Sequence, residues 1–196
     1  MTKNYPANRW ISFWLLVVLG VALDLYSKAV VFQNLGYPNR QGPLLWESST
    51  GWLTFRFVTS FNHGALWGFG QGFTLVFATL SVVAVIGVVY WLFFRNGASS
   101  LWMTVSLGFV TAGALGNLYD RLALHGYVVD GEPIYAVRDF LLFTFGTFHW
   151  PVFNFADVFL VTGSIMLILQ SLFMQPADEA VAVATNTDAT SLKKAT

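Results

Sequence analysis

The sequence predicts an all-α membrane protein with four transmembrane helices. Three observations carry that expectation. Of 196 residues, 56% are hydrophobic and 17% aromatic against 10% charged, with a mean hydropathy of +0.60. A soluble domain carries roughly 25% charged residues, so part of the solvent of this chain is lipid. Four apolar stretches each approach the roughly 20 residues that a helix needs to cross the hydrocarbon. Finally, threading the four up and down brings the polar residues in and beside them to one end.

The first span runs from Trp10 to Phe32, interrupted only by Asp24 and Lys28. Lys3 and Arg9 before it resemble the n-region of a signal peptide. The apolar stretch outruns an h-region of about 7–15 residues, however, and no small-residue cleavage site follows, so a retained helix is expected. The second span, Phe73 to Phe94, and the third, Leu101 to Tyr119, contain no charge. The fourth, Val152 to Phe173, holds Asn154 and Asp157 near its start.

Between spans two and three, Arg95–Ser100 is a short polar turn. The segment from Asn34 to Gly72 is long. Within it Trp52–Thr59 partly alternates, with Leu53, Phe55 and Phe57 on one side, which reads as a strand. The segment Asp120–Pro151 carries four acids, Asp120, Asp130, Glu132 and Asp139. A single domain is expected over residues 1–175. The polar, small-residue-rich tail 176–196 is expected to be disordered.

Four spans place both termini on one side, together with Lys3, Arg9, Arg95, Lys193 and Lys194; Arg40, Arg56, Arg121 and Arg138 fall on the other. Lys3, Arg9 and Arg95 lie near helix ends, so the termini are expected in the cytoplasm. On the opposite side the end of span one (Asp24, Lys28), the end of span three (Asn117, Asp120, Arg121), the loop residue Asp139 and the start of span four (Asn154, Asp157) can all meet. Ionisable groups within a span cost a few kcal/mol at least and mark function by default. Asp24 and Lys28, four apart with the acid first, also suit an intrahelical salt bridge.

Residue types narrow the chemistry. Ten Lys+Arg balance ten Asp+Glu, so no basic excess points to nucleic acid. Cysteine is absent, which removes disulfides, thiol nucleophiles and thiolate metal sites. His63, His125 and His149 form neither HExxH nor paired ligand spacing, so no metal is expected. Ser27 and Lys28 are adjacent and point to different helix faces, which argues against a Ser–Lys dyad. Carboxylates remain. Two that lie close together cannot both ionise cheaply; one keeps its proton and the other acts as base.

Five blocks in order resemble the lipoprotein signal peptidase (signal peptidase II) family: Asp24-Leu25-Tyr26-Ser27-Lys28, Phe61-Asn62-His63-Gly64-Ala65, Gly113 to Leu122 (GALGNLYDRL), Val137-Arg138-Asp139-Phe140 and Phe153-Asn154-Phe155-Ala156-Asp157. The resemblance implies four transmembrane helices with a small periplasmic β-cradle, drawn mostly from Asn34–Gly72, extracytoplasmic loops and a peripheral helix. It implies an aspartic endopeptidase that cuts diacylglyceryl-modified prolipoproteins before the lipidated cysteine. Asp139 and Asp157 fall on the catalytic positions. Asn62, Asn117, Arg121 and Asn154 would line the substrate site, supported by Asp24, Lys28, Asp120 and Gly64. Further implications are no metal or other cofactor, inhibition by globomycin-type peptides, and residence in the bacterial inner membrane with the active site at the periplasmic face. One complete site per chain makes a monomer sufficient. Trp46, Trp52, Trp67, Phe148 and Trp150 would anchor the protein among membrane lipids or pack acyl chains.

The family places its first catalytic aspartate soon after the Asp-Arg of span three, often as G-x-V-x-D. Gly126–Asp130 fits that context, but Asp130 is followed by Gly131-Glu132-Pro133, which is turn chemistry. Asp139 is followed by Phe140 and keeps the family's spacing to Asp157. An insertion between His125 and Val137 and a catalytic Asp139 are therefore expected. The block FNHGALWG also departs at Leu66 and Trp67, in a way that could alter the substrate pocket. Other functions fit less well. A proton relay through Asp24, Lys28 and Asp157 would need charges tracking across the bilayer. A non-catalytic scaffold would not need Asp139 in a loop. A presenilin-type protease would need GxGD, which is absent.

Overall fold

The computed structural model describes residues 6, 8–64 and 73–173. Trp67, Leu66 and the tail 176–196 lie outside them. Among the described residues four helices are long and apolar enough to cross a membrane: α1 (Asn8–Leu35), α2 (Thr74–Phe94), α3 (Leu101–Arg121) and α4 (Phe155–Phe173). On α1, α2 and α4 many large side chains face outward, as helices solvated by lipid require. α3 is the hub. Half of its most apolar stretch (50%) is buried against 11% for α2 and α4, and it packs on α1, α2 and α4.

Small residues allow that packing. A Cβ on Gly163 would come 2.6 Å from the Ser106 carbonyl oxygen, and one on Gly113 would overlap the Ala156 carbonyl. Side-chain-free positions let helix backbones approach where lipid offers no hydrophobic driving force between helices. Ser100 caps α3 by accepting from the Met103 N–H at 3.3 Å.

At the end where α1 and α3 finish and α2 and α4 begin sits a four-stranded antiparallel sheet, in the order β1 (Gln41–Glu47), β2 (Leu53–Asn62), β5 (Val137–Phe145), β6 (Phe148–His149). β1 and β2 come from the segment expected to supply strand. β5 was not expected. The sequence reading put Asp139 in a loop, whereas it lies within this strand. The reason is that Val137–Leu142 is buried on both faces, so its apolar residues do not alternate. Residues 128–133 form a hairpin, β3 (Val128–Val129) and β4 (Glu132–Pro133), inside the expected insertion. Its two-residue turn is Asp130-Gly131, with φ of 52° and 85°. Asp-Gly suits a turn that needs both residues left-handed.

One further expectation is corrected. α4 begins at Phe155, not Val152, because Phe153 bridges to Leu141 on β5 and delays the helix. Apart from the single 3-10 turn Gly97–Ser99, no helix outside the spans occurs among the described residues, so the implied peripheral helix is not found there.

Candidate active site

The start of α4 is built around Asn154. Its side-chain Oδ1 accepts the Asp157 N–H at 3.0 Å, and the Asp157 carboxylate accepts the Asn154 N–H at 3.2 Å. This reciprocal pair is a capping box made from Asn and Asp. It fixes Asp157 in the first turn, where unpaired N–H groups and the helix dipole favour negative charge. A second carboxylate from another helix completes the cap: Asp24 of α1 accepts the Ala156 N–H at 2.9 Å.

Asp139 reaches the same place from β5. Ahead of it, β2 pairs Phe57 with Leu141 but Ser60 with Asp139, so β2 carries one extra residue between them. A bulge of this kind exchanges the faces of the residues beyond it. Without it Phe61 would share the face of Asp139; with it Asn62 does. Asn62 Nδ2 donates to Asp139 Oδ2 at 3.0 Å, and the Gly64 N–H holds Asn62 Oδ1 at 3.0 Å. The other Asp139 oxygen accepts from Asn154 Nδ2 at 2.6 Å. Asn117 of α3 donates to Asp157 at 2.8 Å, while its own oxygen accepts from Asn154 and from Lys28. One asparagine, Asn154, thus touches both aspartates.

A buried chain of charges underlies the site. Lys28, 0% exposed, pairs with Asp24 at 2.7 Å and with Asp120 at 3.1 Å. Asp120 also receives the Arg138 guanidinium through two bonds, at 2.7 and 3.0 Å, and the Arg138 N–H at 3.0 Å. Two negative and two positive groups alternate, so none is left uncompensated in a medium where an isolated charge is prohibitive. The chain has a positional consequence. Arg138 and Ala156 immediately precede Asp139 and Asp157, and each is pinned by a carboxylate that flanks Lys28.

Asp139 is 2% exposed. Burial, and next the charge of Asp157, push its carboxyl well above the usual carboxylate range, only partly offset by the Asn62 amide, the Lys28 charge and the Asn154 amide. Asp157 is half-buried and, with Asn62, Asn117 and Arg121, lines a cavity of about 470 Å³. Apolar residues of three helices complete the wall, among them Phe77, Leu80, Val110 and Leu160. Arg121 lies 5.5 Å over the Phe77 ring and has no ion pair among the described residues. The arrangement offers one carboxyl group biased to hold a proton, a second facing a cavity, and a cation beside it. A larger groove of about 690 Å³ lies elsewhere and is lined by neither aspartate.

Every residue expected at the site is therefore placed at this end, and Asp130 is not among them: it is exposed in the hairpin turn. Asp24 and Lys28 do form the expected intrahelical bridge, but within a larger network. Ser27 donates to the Asp24 carbonyl at 2.9 Å and away from Lys28 chemistry. The sequence reading missed Arg138. Its signal was a charge beside an apolar run, needing a buried partner. Among the described residues no cluster of three His, Cys, Asp or Glu is placed to hold a metal. Burial holds His125 below its ordinary value, and its Nδ1 accepts the Tyr127 N–H at 3.0 Å.

Comparison with known proteins gives the family. The sequence model of signal peptidase (SPase) II matches residues 16–173. A lipoprotein signal peptidase of Rhodopirellula baltica is 42% identical over 174 residues, 85% of this chain and 74% of that protein. One from Serratia proteamaculans is 32% identical over 174 residues, 87% and 90% of the two chains. Two solved structures described as bacterial membrane enzymes superpose with TM-scores of 0.65 and 0.63, at 27% and 28% identity. They cover 88% and 89% of this chain, and 92% and 99% of their own. The chain belongs to the signal peptidase II family, the lipoprotein signal peptidases.

Proposed function

We propose that Asp139 and Asp157 are the catalytic pair with which this membrane protease carries out the reaction of its family. That reaction is removal of the signal peptide from a diacylglyceryl-modified prolipoprotein, by cleavage before the lipidated cysteine. The observation that carries the assignment is Asn154, whose amide bonds Asp139 while it caps the helix turn bearing Asp157.

Asp157 faces the cavity and takes a proton from the attacking water. Asp139 holds its own proton, because burial and the neighbouring carboxylate disfavour a second negative charge, and donates it to the scissile carbonyl oxygen. Collapse of the tetrahedral diol returns a proton to Asp139, and Asp157 passes its proton to the leaving amine. General acid–base steps of this kind each contribute about 10²–10⁴-fold. For Asp139 to reach the carbonyl, the Asn62 amide must give way at Oδ2.

The polar residues divide by what they already touch. The Asn117 and Asn154 amides are committed to the aspartates and hold them in register. Arg121 and Asn62 stand on the cavity wall, with Arg121 free to meet a polar group of the substrate. Apolar residues of α2, α3 and α4 accept the signal helix and acyl chains from the membrane side. Trp46, Trp52, Phe148 and Trp150 are exposed on the sheet and its turns, which suits a seat among head groups. This reading places the protein in the bacterial inner membrane as a monomer, with cytoplasmic termini and the aspartates at the periplasmic face. It also makes the cavity the site of globomycin-type inhibitors.

Replacing Asp139 by Asn is expected to abolish cleavage of a lipidated prolipoprotein in detergent, and Asp130→Asn to leave it within about two-fold. The reverse pattern would move the first catalytic position to Asp130.

A further inference from the structure

The groove of about 690 Å³ beside the insertion hairpin falls within the roughly 300–1,000 Å³ range of ligand pockets. Its wall is built from Asn39, Phe61, His63, Thr74, Glu132 and Tyr135. Two stretches of chain connect it to the aspartates. On β2, Asn62 hydrogen-bonds Asp139, while its neighbours Phe61 and His63 line the groove across the strand, so the end of β2 is the wall between groove and aspartates. After β4, Tyr135 lines the groove and Val137, two residues on, lines the cavity that holds Asp157. The groove is also more polar than that cavity. Among the described residues its one charged wall residue is Glu132, and exposed Asp130 stands two residues away at the hairpin tip. Arg40, next to Asn39, is exposed and does not line it.

A substrate cut at the aspartates has two halves. One is the signal helix, which needs an apolar wall open to lipid. The other is the polypeptide after the lipidated cysteine, which must leave toward water. The geometry points to the hairpin groove as the site that receives the first mature residues of the substrate, with Glu132 setting a preference for a basic residue among them. This inference rests on the peptidase reading above. It makes the 126–136 insertion a specificity element.

The test uses the full-length protein in a zwitterionic detergent, with three lipidated prolipoproteins that carry Lys, Ser or Asp just after the cysteine. The measured quantity is the ratio of kcat/KM for the Lys substrate to that for the Asp substrate. The ratio is expected to exceed one in the parent and to fall toward one in Glu132→Gln. In Glu132→Lys it is expected to invert, by about two- to five-fold, the size of exposed charge pairs. Glu47→Lys, an exposed acid at the far end of β1, should leave the parent ratio intact. An unchanged ratio in Glu132→Lys overturns the proposal, as does an equal shift in Glu47→Lys. Failure of the parent to cut any of the three would instead count against the peptidase reading itself.

Discussion

Asn154 is the residue whose replacement separates structure from chemistry most cleanly. Its side chain does two jobs with two atoms: Oδ1 caps α4, and Nδ2 donates to Asp139. Asn154→Ala removes both. Loss of a cap costs about 0.5–2 kcal/mol. Leaving Asp139 Oδ1 buried without a donor costs about 1–3 kcal/mol more. Asn117 Oδ1 is not orphaned, because Lys28 still donates to it at 3.1 Å. Asn154→Ser keeps the cap and loses only the donation, so it should retain about 0.5–2 kcal/mol of stability that Asn154→Ala does not. Both variants release Asp139 from its register with Asp157, and a misplacement of about 1 Å can cost 10²-fold. Thermal unfolding in detergent and initial cleavage rates would be measured side by side. The expected result is graded stability (parent, then Ser, then Ala) with activity low in both variants. An Asn154→Ser protein that cuts within two-fold of the parent would refute the idea that this hydrogen bond positions Asp139.

Four other outcomes follow from the same geometry. Because the Asp139 carboxyl is raised above its ordinary 3.8, activity that needs it protonated should fall only at a pH well above the usual carboxylate range, and Asp139→Glu should move that limb. The linkage has a definite sign: the folded state holds a proton that the unfolded chain has lost, so the parent loses stability as pH rises from about 3.8 to the raised value, a slope that Asp139→Asn should lack. Gly116→Ala puts a Cβ 2.5 Å from Asp24 Oδ2, which Lys28 holds in place, so folded yield should drop, whereas Gly87→Ala, with nothing within 4 Å, should be silent. Arg138→Met leaves Asp120 half-paired in a dry site and should destabilise by about 3–5 kcal/mol in thermal or denaturant unfolding, with Arg138→Lys recovering part of the loss.

Much of the fold was legible because lipid imposes a simple rule. Any segment that crosses must satisfy its backbone internally, so runs such as Phe73–Phe94 could only be helices. Threading four of them then forced Asp24, Asn117 and Asp157 to one end before any contact was known. What remained hidden was tertiary in origin. β5 reads as an apolar run because both of its faces are buried from Val137 to Leu142. The bulge that turns Asn62 toward Asp139 leaves no mark in the alternation of Leu53, Phe55 and Phe57. Arg138 looked like a positive charge in a loop, since its partner Asp120 lies across the fold. The cap at Asn154 was visible only as a motif; the Phe153 bridge that sets where α4 starts was not.

The most direct test of the central claim is cleavage of a diacylglyceryl-modified prolipoprotein by the purified protein in detergent, beside Asp157→Asn at equal folded yield. The account predicts a product beginning at the lipidated cysteine from the parent and none from the variant. Equal cleavage by both would contradict the assignment of Asp157, and no cleavage by a well-folded parent would contradict the function.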